Sequence, residues 1–530
     1  MTTEKREVAL IDGTPDKRMF WSIMSDYDLK TALCELVDNA IDIWRQGSKR
    51  KQLVVSVVLD VARQLIYVSD NAGGVGVEDL RFLLAPGGSK NDPHAEIVGI
   101  FGVGSKRASI ALGERVEITT HHRGENTHQI EIDKAWLGHD DWHLRGYEVP
   151  DIPSGTTRVH ISHLRKPFIQ HDLEEIAIHL GQTYCRFIGD GCLILLNEAP
   201  VQAISFENWS YPPNQVPRRA VFASRFGDDG VIQVDITGGL IVDRNPEEDN
   251  YGVYFYCNDR LIVKELKSRE VGYLNSLEAG VPHWDISLSR VIVRLTGPAI
   301  LMPWNSSKNG INFSHPAFQR VRPTVVQLTS YFSKLSRRLK DDWDGNVFRH
   351  KSGSMEIMRP EDVDAGHFLH MPDLPKRNKS RAEKLKLRNK KVLGDHPWTL
   401  GLVEAMAAVE LVSRQTYATK NRLALIILDS NFEIALKEFI VHRDDLFPAR
   451  EYTDSRIAGI FRSRTEVMNT VQAKLPIKIP DTLIGKAKHY YLMRNKLIHE
   501  RATLDVLDAD IVNYRKTIEK VLAHLYGLKF

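Results

Sequence analysis

The chain has 530 residues, enough for about three or four domains that each bury a core of their own. Hydrophobic residues make up 42% and charged residues 26%, and the net charge of +3 is too small to identify a nucleic-acid-binding protein. Apolar runs stay well short of the ~20 residues of a membrane span, and the N-terminus lacks a signal-peptide core. The four cysteines have neither CxxC nor zinc-site spacing: Cys34, Cys185, Cys192 and Cys257. We therefore expect a cytoplasmic protein with no membrane segment and no structural metal cluster.

The stretch from Leu33 to Asp42 predicts a helix with a polar face. The i, i+3, i+4 and i+7 positions share one side of a helix, and here they are Glu35, Asp38, Asn39 and Asp42. Such a stripe is usually a solvated surface. Asp and Asn are poor helix formers, however, and short acceptor side chains with no basic residue among them suit a bound cation and a water molecule. The stretch alone leaves both interpretations open.

A predicted hairpin and two glycine-rich turns follow this helix. Residues 52–59 and 64–69 alternate apolar and polar side chains, which is typical of paired β-strands. The second strand ends in Asp70 and a run rich in glycine, and Gly99–Gly104 forms a GxxGxG turn that leads into an apolar helix. The first amides of such a helix suit an anion. The turn lacks the P-loop signature and lies downstream of the acidic helix, which excludes a Rossmann arrangement.

In this order, the acidic helix, the strand ending in Asp70, the flexible loop at 86–92 and the glycine turn resemble the GHKL ATPases. That superfamily includes gyrase B, the ninety-kilodalton heat-shock chaperones, histidine kinases, MutL and MORC proteins. The resemblance implies ATP and Mg²⁺ as ligands. It implies that Glu35 is the general base for the attacking water, that Asn39 holds Mg²⁺ and that Asp70 accepts from the adenine amino group.

The resemblance also implies further ATP contacts, at Asp38, Gly74, Gly99, Gly102, Val103, Gly104, Lys106 and Thr156. Thr156 belongs to a Ser-Gly-Thr-Thr stretch before a strand, which is similar to the Gly-Thr element of the family. One departure is Ala72, at a position where the family usually has glycine. An alanine fits there only if its φ angle is negative.

Residues 166–343 predict a second, α/β domain. A helix at Leu173–Phe187 and a strand at Cys192–Leu196 precede several strands, and a helix at Arg322–Leu339 ends the segment. The Asn-Asp-Arg-Leu-Ile turn at 258–262, followed by the loop that carries Lys308, resembles the transducer domain of MORC-type ATPases, which has an S5-like fold. The resemblance implies that Lys308 reaches the γ-phosphate, whereas an ordinary exposed lysine is the alternative.

Residues 344–398 lose apolar periodicity and predict a basic linker, since Lys376–Lys391 contains nine basic residues and one Glu. Such a run is either solvated or a contact for a nucleic-acid backbone. From residue 399 to 530 the pattern predicts an all-α bundle. Its predicted helices are Leu402–Thr419, Arg422–Val441, Arg456–Ala473, Ile484–His499 and Ala509–Tyr526.

The fourth of these helices ends in Arg494-Asn495-x-x-x-His499. Basic residues at a helix end are commonly caps. Together with the preceding apolar helix, however, this motif resembles the HEPN fold, in which Arg and His form a metal-independent ribonuclease centre. The resemblance implies that His499 acts as general acid and base and that Arg494 stabilises phosphate charge. One helix would supply half a site, which implies a homodimer.

We therefore predict an α+β chain with a Bergerat-type ATPase sandwich at 1–165, a transducer at 166–343, the basic linker and a HEPN-like bundle. The predicted function is an ATP-driven dimeric switch that controls RNA cleavage, with RNA favoured over DNA as the nucleic-acid partner. Bacterial antiphage or abortive-infection defence, with a further defence subunit, would suit a gated nuclease. The alternatives are a MORC-like DNA clamp without nuclease activity and a chaperone-like ATPase.

Overall fold

The computed structural model describes residues 17, 27–47, 52–83, 85, 88, 90–99, 104–139, 141–358, 369–376, 380–499 and 505–530, with the backbone alone at 105–107 and 499. The chain divides into two compact units, Met1–Lys376 and Arg377–Phe530. The first unit contains two β-sheets with helices packed on them, and the second is helical. The mixed α and β architecture is as predicted. Within the described ranges, every helix is too short or too polar to cross a lipid bilayer.

The first sheet has the strand order β5-β4-β3-β6-β2-β1-β7-β8. Its strands are β1 (Val54–Asp60), β2 (Leu65–Asp70), β3 (Gly113–His121), β4 (Thr127–Ile132), β5 (Gly146–Glu148), β6 (Thr156–Leu164), β7 (Leu193–Leu196) and β8 (Ala199–Pro200). The pairs are antiparallel except for β1 with β7, which is parallel. The predicted hairpin of β1 and β2 is confirmed. The predicted domain boundary at residue 165 falls inside this sheet, because β7 and β8 complete it.

Helices cover this sheet and place its functional side chains. They are α1 (Leu29–Gln46), α2 (Gly104–Leu112), α3 (Lys134–Leu137), α4 (Gln170–Thr183) and α5 (Cys185–Gly189), with a 3₁₀ turn at Val77–Leu83. Helix α1 begins at an Asp28 cap, whose carboxylate accepts from the Thr31 amide at 2.7 Å. Its apolar side, with Leu33 and Val37, is fully buried in one core with Val57 of β1. The predicted helix Leu173–Phe187 is interrupted at Tyr184, whose side chain turns into the core.

The second sheet has the order β13-β12-β14-β11-β10-β15, and β9 also pairs with β11. Its strands are β9 (Trp209–Ser210), β10 (Arg218–Arg225), β11 (Val231–Ile241), β12 (Gly252–Cys257), β13 (Arg260–Leu266), β14 (Ser289–Thr296) and β15 (Glu356–Met358). Helix α6 (Pro316–Leu339) buries Phe318, Leu328 and Phe332 against it. Short 3₁₀ turns lie at Arg269–Val271, Trp284–Ile286, Ala299–Leu301 and Lys340–Asp342, and a π turn lies at Asp344–Phe348.

The second unit packs its helices around one apolar core. They are α7 (Arg381–Arg388), α8 (Lys390–Asp395), α9 (Leu400–Ser413), α10 (Lys420–His442), α11 (Asp454–Ile460), α12 (Arg464–Lys474), α13 (Asp481–His499) and α14 (Asp508–Tyr526), with a 3₁₀ turn at Pro397–Thr399. The predicted helix Arg456–Ala473 is two helices, because the Ser463 hydroxyl caps a new helix start by accepting from the Glu466 amide.

The segment predicted as a basic linker, 344–398, is divided between the two units. Strand β15 lies in the first unit and pairs in parallel with β10. Helix α7 lies in the second unit, where Leu385 is fully buried in the apolar core. Two basic side chains of α7 also have acidic partners, since Arg381 lies 3.0 Å from Glu410 and Lys386 lies 2.5 Å from Glu404.

Candidate functional site

A cavity of about 540 Å³ opens in the first unit, within the range typical of small-molecule sites. Its wall combines helix α1, the end of β2, the start of α2 and a loop of the second sheet. Residues of the predicted site that line it are Glu35, Asn39, Asp70, Gly74, Gly99, Gly104 and Lys308. The structure thus brings together side chains that are up to 273 positions apart in the chain.

Glu35 lies in the cavity wall and is only 3% exposed. Its Oε2 accepts from Lys308 Nζ at 2.8 Å, whereas its buried Oε1 has no donor among the described residues. The carboxylate also lies against the start of α2, where a Cβ on Gly104 would stand 1.9 Å from Oε2. A side chain at position 104 would therefore displace the Glu35 carboxylate from this position. One carboxylate oxygen is held in place, and the other can still accept a hydrogen bond as far as the described part of the chain shows.

Asp38 is fully buried behind Glu35 and does not line the cavity. Its Oδ2 accepts from Lys308 Nζ at 2.8 Å, and its Oδ1 accepts from Arg260 Nε at 2.9 Å and from the Tyr184 hydroxyl at 2.7 Å. Burial by itself would raise the pKa of Asp38, but the charges of Arg260 and Lys308 outweigh it and hold the pKa below its ordinary value. In this structure Asp38 supports the site from behind, and its contact with ATP stays a prediction.

Lys308 comes from the second sheet's side of the cavity and is 4% exposed. Its backbone has a left-handed φ of +50°, a conformation that costs a residue with a Cβ about 1–2 kcal/mol. The Lys308 carbonyl accepts from Arg260 Nη1 at 2.9 Å, which fixes this conformation. Burial would lower the pKa of Lys308, but the carboxylates of Asp38 and Glu35 outweigh it and raise the pKa above its ordinary value. The ammonium therefore stays charged at neutral pH.

Asp42, at the end of the polar stripe, holds the chain that leads into the glycine turn. Its carboxylate accepts from the Val98 amide at 2.8 Å and from the Gly99 amide at 2.6 Å. Burial raises the pKa of Asp42 to about 6, although these two bonds oppose the increase. Asn91 adds a bond to the Gly99 carbonyl at 2.7 Å. Helix α1 thus fixes the position at which the glycine turn begins. Three of the predicted ATP contacts lie outside the described residues: Gly102, Val103 and the side chain of Lys106.

Asp70 ends β2 at another part of the cavity wall. Its Oδ1 accepts from the Ala72 amide at 2.9 Å. Burial raises the pKa of Asp70 to about 7, since little else compensates the charge. Ala72 has no positive φ, as its side chain requires, whereas Gly74 has a φ of +73° and a Cβ there would stand 2.3 Å from the His121 carbonyl oxygen. The turn therefore keeps its glycine where the backbone needs one.

Two further residues of the predicted site, Asn39 and Thr156, differ in whether they line the cavity. Asn39 lines the cavity, and no described residue forms a hydrogen bond with its side-chain amide. A neutral amide oxygen that faces a cavity fits Mg²⁺, which prefers oxygen ligands. Thr156 is buried at the start of β6, but the next residue, Thr157, lines the cavity, because neighbouring side chains on a strand point to opposite faces. The Thr157 hydroxyl lies 3.2 Å from that of Thr120.

In the second unit, Arg494 of α13 is held by a carboxylate that is fully buried. Its Nε donates to Asp429 Oδ2 at 2.9 Å, and 19% of its side chain is exposed. Asp429 Oδ1 also accepts from the Tyr514 hydroxyl at 2.8 Å and lies 2.8 Å from Arg464 Nη1. Four helices therefore meet at Asp429, a residue of α10 that no sequence motif marks as a site. The side chain of His499 lies outside the described residues.

The fold and these contacts agree with a comparison to known families. Residues 27–157 match the family described as Histidine kinase-, DNA gyrase B-, and HSP90-like ATPase. The match supports assignment of this segment to the GHKL ATPase superfamily. It runs from the start of α1 to the beginning of β6, so Lys308, the second sheet and the second unit lie beyond it. No curated protein matches the chain.

Arg260 and Tyr184 are site residues that the motifs did not identify. Arg260 belongs to the Asn-Asp-Arg-Leu-Ile turn, whose resemblance to a transducer motif marks the turn but assigns no role to the arginine. Tyr184 lies in an ordinary amphipathic helix pattern and gave none. Its hydroxyl reaches Asp38 only because α4 ends at this residue and the ring turns inward.

Proposed function

We propose that the first unit binds ATP in the cavity and hydrolyses it to ADP and phosphate, with Glu35 as general base. The observation that carries the proposal is the Glu35 carboxylate. Lys308 holds one of its oxygens at 2.8 Å, and the other is buried with no donor among the described residues. A fixed carboxylate with one open acceptor position suits a water molecule that must be oriented and deprotonated.

In the proposed reaction, the water gives a proton to Glu35 Oε1 while its oxygen forms a bond to the γ-phosphorus. The bond from that phosphorus to the bridging oxygen breaks, and the electron pair leaves with ADP. The compact Lys308 ammonium stabilises the negative charge on the γ-phosphate oxygens. Asp70 accepts from the adenine amino group. Asn39 would hold Mg²⁺, which when bound neutralises phosphate charge.

The test is Glu35→Gln, which keeps the shape of the side chain but cannot take up the proton. We expect the hydrolysis rate to fall by about 10²- to 10⁴-fold, with ATP binding retained. Glu175→Gln is the matched control, because Glu175 forms an exposed ion pair with Lys30 and does not line the cavity. Hydrolysis by Glu35→Gln at the wild-type rate would refute the role of Glu35.

For the second unit we propose metal-independent RNA cleavage by Arg494 and His499, controlled by ATP in a homodimer. The supporting observation is that Asp429 fixes a partly exposed Arg494 on the helix that also carries His499. A fixed guanidinium suits phosphate charge, and one helix would supply half a site. We also propose that the second sheet couples ATP hydrolysis to the second unit, as in a MORC-like transducer. The biological role that we propose is bacterial antiphage defence, together with a further subunit.

Incubation of the full chain with total RNA and with duplex DNA, with and without Mg²⁺ and ATP, tests this second proposal. We expect RNA to be cut, and His499→Ala to abolish the cutting while ATP hydrolysis continues. RNA cleavage that persists in His499→Ala would contradict it. A mobility shift of duplex DNA that weakens steeply with salt, with nothing cut, would favour the DNA clamp. ATP hydrolysis without either result would favour a chaperone-like ATPase.

A further inference from the structure

The turn between β12 and β13 brings a buried cation into the ATPase site. Asn258 and Asp259 have left-handed φ angles of +47° and +68°, so the chain reverses tightly before Arg260. The Asn258 side chain donates to the Ile97 carbonyl at 2.8 Å, and Asp259 lies 2.7 Å from Arg45 of α1. The turn is thus fixed both to helix α1 and to the chain that precedes the glycine turn. Arg260 follows it and is 4% exposed.

One guanidinium makes two different contacts in this site. Arg260 Nε donates to Asp38 Oδ1 at 2.9 Å, and Arg260 Nη1 donates to the carbonyl of Lys308 at 2.9 Å. The first contact holds the carboxylate one helical turn from Glu35. The second holds the left-handed backbone from which the Lys308 side chain extends. Arg260 therefore fixes Lys308 at its backbone and also fixes one of the two anions that its ammonium contacts.

The charges in this cluster are balanced in pairs. The carboxylates of Glu35 and Asp38 face the cations of Lys308 and Arg260, and all four side chains are nearly or fully buried. Without Arg260, the Asp38 carboxylate would retain a single cation, Lys308. A buried carboxylate with one cationic partner binds that partner strongly, because unpaired burial of its charge is costly. Lys308 would then be held at Asp38 and away from a phosphate.

We propose that Arg260 is a positioning residue for ATP hydrolysis, which neutralises Asp38 and fixes the Lys308 backbone so that the Lys308 ammonium is free to serve the γ-phosphate. Arg260 does not itself line the cavity, and none of its hydrogen bonds to described residues goes to Glu35, so it acts on the reaction through Asp38 and through Lys308. The inference rests on the proposed ATP hydrolysis and adds to it a residue from outside the segment that matches the ATPase family.

The test uses the full chain with Arg260→Gln and measures the single-turnover hydrolysis rate and the Kd for ADP. We expect the rate to fall on the order of 100-fold, because a small misplacement of a catalytic group has that effect. The Kd for ADP should stay near the wild-type value, since ADP has no γ-phosphate for Lys308 to contact. Arg225→Gln is the matched control, because Arg225 is an exposed arginine of the same sheet, on β10, and does not line the cavity.

A rescue experiment separates positioning from a merely structural role. Asp38→Asn, added to Arg260→Gln, removes the carboxylate that would otherwise hold Lys308 away from the phosphate. We expect roughly tenfold recovery of the rate, as for directly coupled residues. This double variant has no unpaired buried charge, so it also serves if Arg260→Gln alone fails to fold.

The outcomes distinguish the two proposals. If Glu35→Gln is inactive while Arg260→Gln hydrolyses ATP like the wild type, the positioning role is wrong and the proposed function stands. An equal loss of rate in Arg225→Gln, or no recovery in the double variant, would also overturn the positioning role. If Glu35→Gln hydrolyses ATP normally or the wild-type chain is inactive, the proposed function itself fails and the inference fails with it.

Discussion

Asp70→Asn should stabilise the first unit when ATP is absent and the pH is high. Burial raises the pKa of Asp70 to about 7 in the folded chain, against an ordinary value of 3.8. This is opposite to the usual behaviour of a paired carboxylate, whose folded pKa is depressed. At pH 8 the carboxylate is ionised in both states, and its burial opposes folding. Below pH 7 the folded state takes up a proton that the unfolded state does not, so folding becomes more favourable as the pH falls.

The size of the effect follows from the difference between the two pKa values. Each pH unit between them changes the free energy of unfolding by 1.36 kcal/mol. From pH 7 to pH 5.5 the contribution of Asp70 is therefore about 2 kcal/mol. Asparagine cannot ionise, so the advantage of Asp70→Asn over the wild type should be about 2 kcal/mol larger at pH 8 than at pH 5.5.

Hydrogen exchange of the amides in β2 and β6 measures this difference in the ATP-free chain. Comparing the two proteins at each pH removes the intrinsic pH dependence of exchange. Asp60→Asn, which removes a partly exposed carboxylate at the opposite end of the same hairpin, is the matched control. An advantage of Asp70→Asn that is equal at pH 5.5 and pH 8 would refute the reasoning, because it would mean that the Asp70 carboxylate does not titrate in this range.

Two further predictions concern the surroundings of a buried carboxylate, Glu35 in the first unit and Asp429 in the second. Gly104→Ala should reduce the rate of ATP hydrolysis on the order of 100-fold, because the added methyl group displaces Glu35. Gly401→Ala is the control and should leave the rate unchanged, because no atom lies within 4 Å of the added methyl group. Equal rates in the wild type and both variants would contradict the prediction. Asp429→Asn should lower the free energy of unfolding of the second unit by about 3–5 kcal/mol, because it leaves the Arg494 guanidinium without its anion. Urea unfolding of the full chain followed by exchange in α10 tests this, and an unchanged midpoint would refute it.

The sequence predicts those structural features that depend on residues close together in the chain. Helix α1 and the hairpin of β1 and β2 follow from periodicity, and the glycine at 104 from its motif, because these signals lie within a few positions. The role of Asp38 could not be predicted in the same way. Its partners are 146, 222 and 270 positions away, and no local pattern records such contacts.

Where the structure differs from the sequence-based prediction by one residue or at the end of a helix, the difference also has a physical cause. The resemblance implies an ATP contact at Thr156, but the side chain of this stretch that lines the cavity is Thr157, since strand register decides which neighbour faces inward. The helix predicted at Leu173–Phe187 is broken because burying the Tyr184 hydroxyl on Asp38 overrides helical propensity. In the second unit, a serine cap divides what periodicity alone shows as one helix.

The ion pair between Asp38 and Lys308 has a consequence for how the chain is made. The two residues are 270 positions apart, which at ordinary rates of synthesis is roughly 15–50 s on the ribosome. During that interval the nascent ATPase segment contains the carboxylate that will be buried, but neither of its cations. It cannot close around that charge until β13 and the lysine loop emerge. The order of translation therefore delays a competent nucleotide site until the second sheet has been synthesised, so a truncated chain ending after the family-matched segment would lack one.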